Sequence, residues 1–113
     1  EMYRKMHNKN VQIIPAPSAF TATTGKAHWK TLLKTRAIEN LCYLIASNQG
    51  GVHASGRETW GHSMIIDPWG EVLAEVENET GIAVAKIDID KLICLRKSFP
   101  TLTHRKLDYN INE

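Results

Sequence analysis

The amino-acid sequence predicts an α/β fold, and three features of its pattern indicate this. Helix formers at 1–9 lead into a short β-branched run at 11–14, so a helix precedes a strand. A second helix is indicated at 26–41, where apolar residues recur every four positions. Apolar runs then flank the turn residues at 67–70, which is typical of a β-hairpin.

The first helix and strand are short. The helix at 1–9 ends in Asn8-Lys9-Asn10, and the strand at 11–14 is ended by Pro15 and Pro17. Because the helical pattern is already established at the first residues, we interpret the chain as a piece of a longer protein that begins inside a helix.

The helix at 26–41 has the clearest pattern in the chain. Thr23 or Thr24 is predicted to cap it after a polar connection. Leu32 and Ile38 flank the apolar face. That face consists of Trp29, Leu33, Ala37 and Leu41.

The second half of the chain is predicted to contain strands. The run at 42–46 indicates a strand that is covered on both faces, and the turn residues at 48–57 indicate a loop whose length makes a functional role worth considering. Strands at 62–66 and 71–76 form the hairpin.

The last elements follow that hairpin. A turn at 78–81 leads to a further strand at 82–87. Asp88 or Asp90 is predicted to cap a final helix that reaches Pro100.

Composition excludes several classes of function. The formal net charge is only +2 and the basic residues are spread out, which argues against a nucleic-acid partner. No apolar run approaches the roughly 20 residues that cross a bilayer, so no membrane association is expected. A cytoplasmic location is the expectation.

The cysteines and histidines do not indicate a metal site. Cys42 and Cys94 lie in apolar surroundings without CxxC spacing, so we expect reduced, buried thiols. The histidines form no HxxxH pair. His28 and His62 are expected to be hydrogen-bonded structural residues, and a functional role for His62 stays open.

Four segments of the sequence resemble the C-terminal half of nitrilase-superfamily (carbon-nitrogen hydrolase) amidases. The similarity runs from Glu1 to about Lys106 and is greatest to the branch of deaminated-glutathione amidases and omega-amidases. The segments are Pro17-Ser18-Ala19-Phe20-Thr21, Thr24-Gly25-Lys26-Ala27-His28-Trp29, Arg36-Ala37-Ile38-Glu39-Asn40 and the long run from Arg57-Glu58-Thr59-Trp60-Gly61-His62 to Asp67-Pro68-Trp69-Gly70.

The resemblance implies an α-β-β-α sandwich, of which residues 1–113 would be an incomplete, C-terminal portion of one domain. It implies an amidase with a Cys nucleophile, a Glu base and a Lys that stabilises the oxyanion. In family order all three precede this segment, so no catalytic residue is expected here. No metal or organic cofactor is implied. The partners implied are a small-molecule amide and a second copy of the chain, through the helices at 1–9 and 26–41.

The resemblance also places Ser18, Ala19, Phe20 and Thr21 beside the substrate. Loops that follow strands are where α/β folds usually bind ligands. The alternative, that Ser18 and Thr21 only satisfy turn backbone groups, stays open. Arg57, Glu58 and Trp60 border the long loop, and their contacts with substrate, subunit or solvent stay open as well.

The sequence therefore predicts a fragment of a cytoplasmic carbon-nitrogen hydrolase that acts, when complete, on a linear amide of a small carboxylic acid or peptide-like compound. The rival interpretation is a non-catalytic interaction or structural module that keeps half of the fold. An in-frame Glu, Lys and Cys encoded upstream would separate the first interpretation from the second.

Overall fold

The computed structural model describes residues 2–7, 9–77 and 80–104, and it confirms the α/β prediction. A π-helical turn (Gly25–Trp29) joins the second and third helices, and a short 3-10 helix (Thr101–Thr103) follows the last one. The helices are α1 (Met2–His7), α2 (Ala22–Thr24), α3 (Lys30–Asn40) and α4 (Ile89–Ser98). The strands are β1 (Ile13–Pro15), β2 (Tyr43–Ala46), β3 (Gly50–Val52), β4 (Glu58–Trp60), β5 (Ser63–Ile66) and β6 (Val72–Val76).

Four of the strands form one mixed sheet in the order β1-β2-β5-β6. β1 pairs with β2 in parallel, and the other two pairs are antiparallel. The predicted hairpin is confirmed as β5 and β6. Its turn is held by Asp67, whose buried carboxylate accepts the backbone N–H groups of Trp69 and Glu71 at 2.8 and 2.9 Å.

The long helical segment at 22–40 begins earlier than predicted. Thr21 is its N-cap residue, with extended backbone at ψ 148°, and Thr23 and Thr24 lie inside the first turn. The predicted cap at Thr23 or Thr24 is therefore wrong. The predicted apolar face is confirmed, because its four residues Trp29, Leu33, Ala37 and Leu41 are all buried.

The core lies between this sheet and the helices on one of its faces. The helices α1 and α3 pack on each other, and α3 packs on β2 and β5. On the other face of the sheet Tyr43 is 2% exposed and Ile45 is 40% exposed, so the prediction that this strand is covered on both faces is confirmed at Tyr43 and wrong at Ile45. The sheet side chains buried against the helices are Ile14, Leu44, Ala46, Met64 and Ile66.

The segment at 48–57 is not simply a loop. β3 pairs with β4 as an antiparallel hairpin, with Gly50 opposite Trp60 and Val52 opposite Glu58. The prediction missed these strands because Gly50 and Gly51 have no side chains with which to show an alternating pattern.

The predicted strand at 82–87 is absent from both sheets of the described residues. Ile82 and Val84 are 87% and 80% exposed, so an apolar alternating pattern is present without a pairing partner. The turn predicted at 78–81 includes residues 78 and 79, which lie outside the described residues.

The last helix begins after Asp88, one of the two residues predicted to cap it. Asp88 is the N-cap residue of α4, and its carboxylate accepts the backbone N–H of Lys91 at 2.8 Å. The same residue ties the helix to the sheet, since the hydroxyl of Tyr43 contacts both the backbone carbonyl oxygen and the backbone nitrogen of Asp88 at 3.2 Å. No helix within the described ranges is long and apolar enough to cross a membrane.

Candidate functional site

The four predicted site residues begin three positions after the end of β1, at the carboxyl ends of the parallel strands β1 and β2. The backbone N–H of Ser18 donates to Ser47 at 2.8 Å, and Gln49 donates to the carbonyl of Ser18 at 3.1 Å. The site loop, residues 18–21, is therefore fixed to the chain that leaves β2. This is the position at which α/β sheets usually bind ligands.

Asn48 connects the site loop to the chain that follows β4. Its side-chain oxygen accepts the N–H of Phe20 at 2.8 Å, and its side-chain nitrogen donates to the carbonyl of Gly61 at 2.6 Å. It is 8% exposed, so these bonds replace those it would make with water. Sequence reasoning missed Asn48, although an asparagine between an apolar run and a glycine pair is a detectable signal for a turn or a side-chain brace.

The β3–β4 hairpin lies against the site loop. The N–H of Trp60 donates to the carbonyl of Phe20 at 2.9 Å, and Thr21 forms a bridge with Thr59. Nη2 of Arg57 donates to the carbonyl of Ala19 at 3.4 Å. The structure thus brings the predicted loop together with Arg57 and Trp60, two of the residues whose roles the sequence left open. Glu58 is exposed on β4.

The side chains of the loop differ in what they already contact. Within the described residues, the hydroxyl of Ser18 makes one bond, a long one of 3.5 Å to the carbonyl of Ala16, and Ala19 is exposed. The hydroxyl of Thr21 pairs with that of Thr24 at 2.6 Å, and the ring of Phe20 packs on Trp29 with ring centroids 5.2 Å apart. Ser18 and Ala19 are therefore the loop residues with the most freedom to meet a ligand.

Two of the histidines have local side-chain partners. His62 places Nδ1 3.0 Å from Oε1 of Glu75, and its ring stacks on Trp60 at a centroid distance of 4.3 Å. Nε2 of His53 lies 2.8 Å from the hydroxyl of the buried Thr59. The prediction of a hydrogen-bonded His62 is confirmed, whereas His28 lies exposed on the π-helical turn.

Glu75 is the acidic residue that contacts both His62 and Lys30. Burial raises the pKa of its carboxyl, but the hydrogen bonds and charges of Lys30 and His62 outweigh burial and lower the pKa below its ordinary value. Nζ of Lys30 lies 2.7 Å from Oε2 of Glu75. The carboxylate is thus ionised at neutral pH and bridges a helix to the turn before β5.

Neither cysteine has the surroundings of a nucleophile. Burial raises the pKa of the Cys42 thiol to about 11, against a weaker opposing effect of the Arg96 charge. Cys94 is exposed on α4, so the prediction that both thiols are buried is wrong for this one. Leu92 is the buried residue of this helix, and Cys94 lines the edge of a cavity beside it. The described residues contain no group of three His, Cys, Asp or Glu side chains that could hold a metal ion.

A mixed sheet that packs against helices and carries a loop cluster at the carboxyl ends of its parallel strands places ligands where α/β folds usually bind them. The family model described as carbon-nitrogen hydrolase matches residues 1–97, and the chain belongs to this family. The resemblance to the nitrilase superfamily is thereby confirmed.

Similar proteins agree with this assignment. The chain is 49% identical to the deaminated glutathione amidase of Synechocystis sp. (strain PCC 6803 / GT-S), with 93% of this chain and 39% of the relative covered. It is 48% identical to that of Dictyostelium discoideum, with 96% and 38% covered. The crystal structure of the C. elegans NitFhit protein superposes with a TM-score of 0.90 at 42% identity, covering 93% of this chain and 26% of that one. The chain thus spans about two fifths of the length of these two amidases.

Proposed function

We propose that this chain is the C-terminal part of an amide hydrolase in which the site loop forms one wall of the substrate pocket. The observation that carries the proposal is the contact between the site loop and the β3–β4 hairpin at the carboxyl ends of β1 and β2. Family membership and the amidase names of the two relatives support the reaction class. A cytoplasmic location stays a prediction.

In the proposed reaction the complete enzyme uses the Cys, Glu and Lys that the family resemblance implies upstream of these residues. The thiolate attacks the amide carbon, and the Lys charge stabilises the oxyanion. The C–N bond breaks, the amide nitrogen takes the proton that Glu removed from the thiol and leaves as ammonia, and a thioester remains. Water activated by Glu then hydrolyses the thioester to the carboxylic acid and the free thiol. The substrate is a linear amide of a small carboxylic acid or peptide-like compound.

The site loop is expected to contribute shape more than charge. It contains no ionisable side chain, and Arg57 reaches it from the hairpin through a backbone carbonyl. The small side chain of Ala19 is exposed, and the half-buried Phe20 gives the wall an apolar base.

Enlarging Ala19 tests this wall. In the complete enzyme, Ala19→Leu is expected to lower kcat/KM by roughly 10- to 200-fold, the usual effect of a changed apolar group in a pocket. The matched control is Ala27→Leu, at an exposed position on the π-helical turn. The measurement is ammonia release from a panel of omega-amides and deaminated peptides, with Tm recorded for each variant. Equal kcat/KM for the two variants at equal Tm would rule out a substrate wall at 18–21.

The complete enzyme is proposed to be a homodimer through α1 and α3. The two helices contact each other and leave apolar side chains uncovered, since Met2, Leu32 and Ile38 are 58%, 44% and 45% exposed. A two-fold contact would bury this surplus on both copies. We expect a dimer in sedimentation at micromolar concentration and a shift towards monomer for Leu32→Glu. A complete protein that sediments as a monomer would contradict the proposal.

A further inference from the structure

His62 has a backbone conformation that its residue type disfavours. It follows β4 with φ at +56°, directly after Gly61 at +67°, and these two left-handed residues turn the chain into β5. Glycine adopts this region freely, whereas other L-residues are strained there. A strained backbone conformation persists only where surrounding contacts stabilise it, and such residues cluster at functional sites. The contacts of His62 therefore indicate which part of the structure depends on it.

Those contacts come from two parts of the chain, the end of the β5–β6 hairpin and the helical segment at 22–40. The N–H of His62 donates to Glu77 at 2.6 Å, and its carbonyl accepts Nε1 of Trp29 at 2.8 Å. Nδ1 of its ring lies 3.0 Å from Oε1 of Glu75. Oε2 of the same carboxylate accepts Nζ of Lys30, from the long helix, at 2.7 Å. Both the backbone and the side chain of His62 are therefore fixed by the hairpin β5–β6 and by the helix.

The face of the His62 ring contacts the ring of Trp60. The two rings stack with an interplanar angle of 20°, and the Cβ of Trp60 lies so close to Gly25 that a methyl group there would be 2.2 Å away. The backbone of Trp60 in turn donates to Phe20 of the site loop. A continuous series of contacts thus leads from Glu75 through His62 and Trp60 to the proposed substrate wall.

We infer that His62, oriented by Glu75, is a positioning residue for the substrate wall: its ring fixes Trp60, and Trp60 fixes the site loop. This inference rests on the proposed function for its effect on activity, but the positioning itself concerns only this chain. An imidazole suits the place because one edge can donate to a carboxylate while the ring face stacks on an indole.

Three variants of the complete protein separate the parts of the inference. His62→Gly keeps the left-handed backbone accessible and removes the ring. Glu75→Ala removes the partner of Nδ1, and Glu75→Gln keeps a hydrogen-bond acceptor for it. Glu71→Ala, at an exposed side chain just before β6, is the control. If His62→Gly does not fold, the Glu75 pair carries the test.

The first measurement is independent of catalysis. Hydrogen exchange at the Trp60 amide, which donates to the site loop, is expected to accelerate in His62→Gly and Glu75→Ala. Exchange at Leu44 and Ile65 in the central sheet should stay as in the unmodified protein. Unchanged exchange at Trp60 in both variants would overturn the inference, whatever the enzyme's activity.

The second measurement is the split between KM and kcat. A displaced wall weakens substrate binding, so His62→Gly and Glu75→Ala are expected to raise KM by roughly 10- to 100-fold, with Glu75→Gln close to the unmodified enzyme. A loss of folded protein would instead lower kcat at constant KM, and that result would overturn the positioning role. An unmodified complete protein without amidase activity would refute the proposed function and leave the exchange test of His62 intact.

Discussion

The 113-residue chain by itself is expected to release no ammonia from any linear amide, while a form extended upstream through the family's Glu, Lys and Cys is expected to be active. The difference should be on the order of a million-fold in kcat, which is the typical cost of removing the nucleophile from a set that acts as a unit. The reason is chemical, because thioester formation needs a thiolate beside a base and an oxyanion donor.

Cys42 does not have the properties of the Cys nucleophile that the proposed mechanism needs. It is fully buried against the helices, and burial raises the pKa of its thiol to about 11. At neutral pH nearly all of it is the unreactive thiol, and no described group lowers its pKa to the physiological range. A buried, neutral cysteine behaves as a small apolar core residue.

Cys94 fails for a different reason. It is exposed and lines a cavity of about 390 Å³ between α4 and the turn before β6, together with Tyr43, Trp69 and Leu92. The site loop does not line this cavity, so a thiolate formed there would not meet a substrate held at residues 18–21. An accessible thiol without a base and an oxyanion donor reacts with alkylating reagents but does not turn over amides.

The experiment compares both forms of the chain on the same panel of omega-amides and deaminated peptides. Thiol labelling of the native short chain should modify Cys94 quickly and Cys42 only after unfolding or as the pH approaches 11. Replacing each cysteine of the short chain by Ser supplies the controls. Ammonia release by the short chain that disappears in Cys42→Ser or Cys94→Ser would show that this chain carries its own catalyst.

Local patterns made the helices and the hairpin predictable. The buried residues Trp29, Leu33 and Ala37 recur every four positions because one face of a helix meets the sheet, and that periodicity is visible in the sequence. Asp88 is readable as a cap because its side chain bonds within its own helix turn. The position of Thr21 as the cap residue was missed because its hydroxyl pairs with Thr24 and makes no cap hydrogen bond.

Elements that depend on distant partners were predicted less well. The strand predicted at 82–87 has the alternating pattern, but a strand exists only where another strand accepts its hydrogen bonds. The glycine-rich β3 shows the opposite case, in which a strand forms without a pattern because β4 lies across the turn.

The candidate site was predicted in the same uneven way. Residues 18–21 were recognisable from their place after a strand and from the family resemblance. Asn48 and the pair of His62 with Glu75 were missed because they connect residues 13 or more positions apart. The spacing of such pairs carries no periodic signal, so only the folded arrangement brings them together.

Arg96 is expected to contribute most to stability among the charged side chains of α4. Its guanidinium donates to the carbonyl of Leu41 at 2.8 Å, to the carbonyl of Val11 at 2.7 Å and to the side chain of Asn10 at 2.9 Å. Burial lowers the pKa of Arg96, although the group stays charged at neutral pH. One side chain thus joins the last helix to the end of α3 and to the start of β1.

One of these acceptors, the carbonyl of Leu41, lies where the backbone has few other partners. Leu41 ends the long helix in the left-handed region, with φ at +41°. The carbonyl oxygens at the end of a helix have no N–H donor within the helix. Removing the guanidinium leaves such groups partly buried without a donor. Hydrogen bonds to a charged group are worth about 1.5–3 kcal/mol each, and the partial exposure of Arg96 reduces this because water can replace some of them.

Arg96→Met, which keeps the aliphatic stem and removes the three hydrogen bonds, is therefore expected to lower the free energy of unfolding by about 2–4 kcal/mol. The free energy of unfolding of Arg96→Lys should lie between those of the unmodified protein and Arg96→Met, because an ammonium does not reproduce the planar fork of donors. Lys97→Met, at the exposed next residue, is the control and should change stability by less than about 0.5 kcal/mol. The measurement is denaturant unfolding of the complete protein, followed by circular dichroism. Should Arg96→Met unfold at the same denaturant concentration as Lys97→Met, the three bonds would be replaceable by water and Arg96 would not hold these segments together.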